Sequence, residues 1–161
     1  MTHNPFPELA KLEGFIVLAG AGKMGGAMLD GWMASGLDPK QVIVLEPSPS
    51  PDITALATKG LQLNPAHAPS APIAALIVAV KPQMFADAAA ALKPYVTGNT
   101  LVLSIMAGQT RHAIARALGG AVVRTMPYTP AAIGRGITVA IAADSVTNRQ
   151  RALTDQLLAA T

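Results

Sequence analysis

The residues with the clearest chemical meaning lie in one short stretch, Gly20-Ala21-Gly22-Lys23-Met24-Gly25. The spacing Gly-x-Gly-x-x-Gly alone also suits a packing turn. Here it follows an apolar run, Phe15–Ala19, and opens a segment with helical spacing at Met24, Met28 and Met33. In that context each glycine has a separate task. Gly20 permits the sharp turn from strand to helix. Gly22 leaves room for a diphosphate to approach the backbone. Gly25 lets the helix lie close to the strand. The free N–H groups and dipole of the helix N-terminus then favour an anion. The chemistry implied is dinucleotide binding, through Gly20, Ala21, Gly22, Lys23, Met24 and Gly25.

A dinucleotide site also needs a group that reads the adenosine ribose. Glu46 ends the second apolar run, about 20 residues beyond Gly25, where an acid binds a free 2′-hydroxyl and repels a 2′-phosphate. Ser48 and Ser50 follow at once and are able to donate to a phosphate, and no arginine sits in this turn. NAD and NADP therefore both stay open. Two later segments lie where strands should end. In Ala79-Val80-Lys81-Pro82, the proline pushes Lys81 into an extended conformation, on a loop beside the crevice, to pair with a diphosphate or ribose oxygen. Ala107 and Gly108 are small enough for a flat ring or ribose to approach their backbone. The plainer alternatives are a surface lysine and a tight turn. His67, in a proline-rich connection, reads as a surface loop residue, with an approach to the adenosine as the alternative. His112 reads as a surface residue on a helix. No histidine–carboxylate cluster suggests a metal site, and no residue is forced into a catalytic role.

The elements that would position these groups alternate. Strands are predicted at Phe15–Ala19, Gln41–Leu45, Leu61–Leu63, Ala74–Val80, Leu101–Ile105, Ala121–Met126 and Ile137–Ala142. Helices are predicted from Gly22 to about Ser35, from an Asp52 cap to Lys59, over Ala86–Leu92, over Arg111–Leu118 behind a Thr110 cap, and after a Ser145 cap to the chain end. Strands apolar on both faces and separated by helices imply an α/β fold: a Rossmann-type, doubly wound, mainly parallel sheet with helices on both faces. The ligand then sits at the carboxyl ends of the strands.

Composition agrees. The chain has 161 residues, of which 51% are hydrophobic and 13% charged, too apolar for a disordered chain and long enough for one domain with a core. The net charge of +3 is scattered, giving nucleic-acid binding no support. The absence of cysteine excludes disulfides and thiolate catalysis. No apolar run reaches membrane-spanning length and the N-terminus lacks a signal-peptide pattern, so a cytoplasmic protein is expected. We divide the chain into an N-terminal extension, 1–14, and a dinucleotide-binding domain, 15–161.

Three further segments join the glycine loop in order: Val78-Ala79-Val80-Lys81-Pro82-Gln83, Ser104-Ile105-Met106-Ala107-Gly108 and Val123-Arg124-Thr125-Met126-Pro127-Tyr128-Thr129-Pro130-Ala131-Ala132. Together they resemble the pyrroline-5-carboxylate reductases, over nearly the whole chain from Phe15 on. The resemblance implies reduction of L-1-pyrroline-5-carboxylate to L-proline with NADPH or NADH. It also implies that Met126, Pro127 and Tyr128 face the nicotinamide. The family usually carries asparagine where this chain has Tyr128, and a phenol cannot reproduce the paired donor and acceptor of an amide. Members of that family carry a second, helical domain that forms the dimer and much of the substrate pocket. This chain ends where that domain would begin, so a fragment or truncation, monomeric and incomplete for catalysis, is expected. The alternatives are a related reductase acting on another cyclic imine or with a deazaflavin, and a non-catalytic NAD(P)-binding or redox-sensing module.

Overall fold

The structure is a computed structural model, and it describes residues 6–126, 139–142 and 144–160. In chain order the elements are α1 (Pro7–Ala10), β1 (Phe15–Ala19), α2 (Lys23–Ala34), β2 (Val42–Leu45), α3 (Pro51–Ala57), β3 (Gln62–Leu63), β4 (Ile73–Val78), α4 (Phe85–Leu92), β5 (Leu101–Ser104), α5 (Arg111–Leu118), β6 (Ala121–Met126), β7 (Val139–Ala142) and α6 (Asn148–Ala159). The strands form one seven-stranded sheet in the order β3-β2-β1-β4-β5-β6-β7. Every pairing from β3 to β6 is parallel. β7 pairs antiparallel with β6, with Met126 opposite Val139 and Thr125 opposite Ala140.

The alternation of side chains along each strand divides the core in two. On β1, Ile16 and Leu18 face one side, packed with Met28, Leu29 and Trp32 of α2, Ile53 of α3, and Leu153 and Leu157 of α6. Val17 and Ala19 face the other side, with Phe85 and Leu92 of α4 and Ile114 and Leu118 of α5. Both faces are therefore covered, which is why the strands read as continuous apolar runs. The segment before β1 is built onto the first of these cores. Leu9 is buried, and its N–H donates to Oε1 of Gln156 on α6 at 3.2 Å.

Two helix caps differ from the sequence expectation. Ser50 caps α3, not Asp52: its hydroxyl accepts from the Ile53 N–H at 3.3 Å. The reason is Pro51, whose fixed φ and missing N–H suit the first helical position, leaving Asp52 inside the first turn. Thr147 caps α6, not Ser145. Its hydroxyl accepts from the Gln150 N–H at 3.1 Å, while its own N–H donates to Gln150 Oε1 at 3.0 Å. Only Thr147 has a glutamine three residues on to close this reciprocal pair. Of the strand expected at Ile137–Ala142, Val139–Ala142 is described.

Candidate functional site

β1 lies between β2 and β4, and the helices that follow β1 and β4, α2 and α4, pack on opposite faces of the sheet. At such a switch point the loops at the carboxyl ends diverge and open a crevice. Gly20 begins the loop there with φ +88, a left-handed conformation that favours glycine. A Cβ at Gly20 would also lie 2.7 Å from the carbonyl oxygen of Ala79. Gly25 is buried, and a Cβ on it would strike the carbonyl oxygen of Gly20. Gly22 is the opposite case: a Cβ there would meet nothing within 4 Å. Gly22 is also the N-cap of the 12-residue α2, and no side chain caps that end. The loop is thus closed against the protein at Gly20 and Gly25 and open to an anion at Gly22. The first-turn N–H groups of α2 lack intrahelical partners by the geometry of the helix, and they point toward this opening. A diphosphate fits this cradle.

Two cavities meet here. The larger, about 960 Å³, is lined by Gly20, Gly22, Glu46, Ser48, Ala79, Val80 and Lys81, together with residues of the β3–β4 connection and of α4. The smaller, about 470 Å³, lies over α2 and the β2–α3 turn and is lined by Ala21, Gly22, Lys23, Asp30, Glu46, Ser48, Ser50 and Asp52. Gly22, Glu46 and Ser48 belong to both, so the glycine loop and the β2–α3 turn share one continuous surface.

Lys81 is extended, with φ −61 and ψ 137, and exposed at the cavity wall, the conformation that Pro82 imposes. The other candidates fall elsewhere. Met24 is half-buried on α2 and Pro82 begins the turn before α4; neither lines either cavity. Gly25 acts on the shape of the loop. Ala107 and Gly108 follow β5 outside both cavities, and Gly108 has φ +74 with open space around a Cβ. The positive φ favours glycine at this position. Met126 ends β6, while Pro127 and Tyr128 lie outside the described residues.

Several lining residues lie beyond the candidates that sequence reasoning supplies. Asn64 is the one non-glycine residue with positive φ among the described residues, at 46°, and it lines the larger cavity beside Glu46. Asparagine tolerates that conformation better than most residues, whereas the following Pro65 favours extended backbone, so the sequence does not signal it. Met84, Asp87, Ala88 and Tyr95 line the wall opposite. Tyr95 is buried, and burial raises the pKa of its hydroxyl above the usual tyrosine value. His67, expected as a surface loop residue, is exposed and lines the same cavity as Asn64.

Residues 14–108 match the family described as NADP oxidoreductase, coenzyme F420-dependent. The chain is 38% identical over 136 residues to the pyrroline-5-carboxylate reductase of Escherichia coli (strain K12), covering 81% of this chain and 49% of that protein. It is 31% identical over 146 residues to the pyrroline-5-carboxylate reductase of Pisum sativum, covering 89% of this chain and 52% of that one. Among solved structures, a pyrroline-5-carboxylate reductase from Coxiella burnetii superposes with a TM-score of 0.79 at 26% identity, over 92% of this chain and 57% of its own. The chain spans about half the length of the curated relatives it matches.

Proposed function

The chain belongs to the family described as NADP oxidoreductase, coenzyme F420-dependent, and from that premise we propose that it is the cofactor-binding part of a pyrroline-5-carboxylate reductase. The observation that carries the reading is the opening at Gly22: a helix N-terminus without a side-chain cap, facing space that a Cβ would not fill against protein. The similarity to the Escherichia coli reductase supports the substrate. A bound reduced nicotinamide would supply the hydride that adds to the carbon of the protonated imine of pyrroline-5-carboxylate, giving proline and the oxidised nicotinamide. The chain's own residues do the holding. N–H groups at the start of α2 bind the diphosphate, Lys81 adds positive charge from across the crevice, and Glu46 and Ser48 meet the adenosine ribose.

NADP is the cofactor we assign, supported by the match to a family of NADP oxidoreductases. Lys23 and the hydroxyls of Ser48 and Ser50 suit a 2′-phosphate, yet Asp30, Glu46 and Asp52 line the same recess and oppose it. We assign most of the substrate pocket, and any dimer contact, to the part of the relatives' length that this chain does not span. We place the protein in the cytoplasm, which suits a chain without cysteine that uses a soluble dinucleotide.

The test is calorimetric titration of the 161-residue chain with NADPH and with NADH, then an assay for proline formation after adding the C-terminal half of the Escherichia coli relative. Saturable binding of NADPH, and turnover that appears only with the added half, are the expected results. A chain that binds neither dinucleotide defeats the cofactor assignment. Binding with no turnover under any complementation favours a non-catalytic nucleotide-binding module.

A further inference from the structure

The β2–β3 ladder ends where Val44 lies opposite Leu63. Just beyond it, a side chain takes over the pairing. The Glu46 N–H donates to Oδ1 of Asn64 at 2.8 Å, and Nδ2 of Asn64 donates to the Glu46 carbonyl at 2.8 Å. The carboxamide presents one acceptor and one donor in the arrangement of a peptide group, so it extends the ladder with no backbone strand to do so. Asn64 is itself anchored by its own N–H, which donates to the Val44 carbonyl at 2.8 Å. On the other flank of β2, the Gly20 N–H donates to the Leu45 carbonyl at 2.9 Å. The turn carrying Glu46 is thus tied to the glycine loop on one side and to Asn64 on the other.

That arrangement has a consequence for ligand choice. In a dinucleotide the ribose and the diphosphate stand at a covalently fixed separation. A group that reads the 2′ position discriminates only if its backbone is held in register with the loop that grips the diphosphate. We propose that Asn64 is a positioning residue for cofactor selectivity, holding Glu46 at the ribose so that its carboxylate weighs against a 2′-phosphate. Asn64 acts through Glu46, and the inference rests on the cofactor reading under Proposed function. The left-handed backbone at Asn64 is needed to aim the amide back at β2, so a residue of ordinary φ preference would not substitute.

The experiment compares dissociation constants for NADPH and NADH across Asn64→Gly, Asn64→Asp, Glu46→Gln and the Asn64→Gly/Glu46→Gln double variant. Glycine keeps the backbone conformation and removes both clamp bonds. Aspartate keeps the shape and loses the donor. The worth of a typical hydrogen bond sets the expected shift of the affinity ratio toward NADPH at about three- to tenfold for Asn64→Gly. Asn64→Asp should shift the ratio in the same direction, and the double variant should move it no further than Glu46→Gln alone. An unchanged ratio with both cofactors still bound overturns the inference and leaves the cofactor assignment standing. So does a loss of thermal stability with no change of ratio, or a fully additive double variant. Failure of the unsubstituted chain to bind either dinucleotide removes the cofactor assignment and this inference with it.

Discussion

Gly25 sits so close beneath Gly20 that a Cβ on the former would strike the carbonyl oxygen of the latter, while Gly22 between them faces open space. The first relationship is internal to the fold, and the second leaves the room that the proposed diphosphate site requires. Substitution should therefore separate them. Gly22→Val should leave the unfolding midpoint nearly unchanged, since the added carbons meet little protein, and should abolish detectable NADPH binding by filling the diphosphate position. Gly25→Ala should lower stability by about 1–3 kcal/mol, the usual cost of overpacking a tight contact. Urea unfolding and calorimetric titration of both variants check this. Unimpaired NADPH binding by Gly22→Val would remove the loop from the site.

The glycine loop is legible in the sequence, because the loop, its strand and its helix are contiguous and local spacing carries the information. The same holds for Thr110, whose hydroxyl caps α5 by accepting from the Ala113 N–H at 3.0 Å, as expected. The Asn64 clamp is different. Its partner lies 18 residues away, and nothing local distinguishes that asparagine from any turn residue. The caps of α3 and α6 fall on Ser50 and Thr147, and not on Asp52 and Ser145, because several capping residue types lie close together in each turn. The choice among them rests on a residue further along the chain, a proline in one case and a glutamine in the other. The direction of β7 is set by its pairing with β6, which an apolar run does not encode.

Trp32 ties the glycine-loop helix to the far end of the domain. Its Nε1–H donates to the Leu157 carbonyl at 2.9 Å, and the side chain is fully buried. Trp32→Phe keeps most of the apolar contact but leaves a buried carbonyl without its donor, a loss of about 1–3 kcal/mol. Trp32→Ala also opens a cavity and should cost about 3–5 kcal/mol. Denaturant titration measures both. The lining of the two cavities at the glycine loop does not include Trp32, so NADPH affinity of the folded Trp32→Phe protein should stay within about twofold of the parent, well under the roughly tenfold that about 1.4 kcal/mol would bring. A phenylalanine variant as stable as the parent would show that the bond adds nothing.

Tyr95 gives the domain a predictable alkaline limit. It is buried between α4 and the sheet, and burial disfavours its ionised form, raising its pKa above the ordinary tyrosine value of 10.0. The unfolded chain ionises this group near 10.0, while the folded chain holds its proton to higher pH. Above that point the folded state binds more protons than the unfolded one, so stability falls as pH rises. The contribution is complete below the unfolded value and is lost as pH climbs through the folded value. Tyr95→Phe removes the titrating group and keeps the ring. The variant should match the parent within about 1 kcal/mol at neutral pH, the scale of a modest side-chain change. Its stability should then fall less steeply than the parent's above pH 10.0, the unfolded-state value. Urea unfolding at closely spaced pH values decides the matter, and parallel curves for the two proteins would show that Tyr95 ionises as readily folded as unfolded.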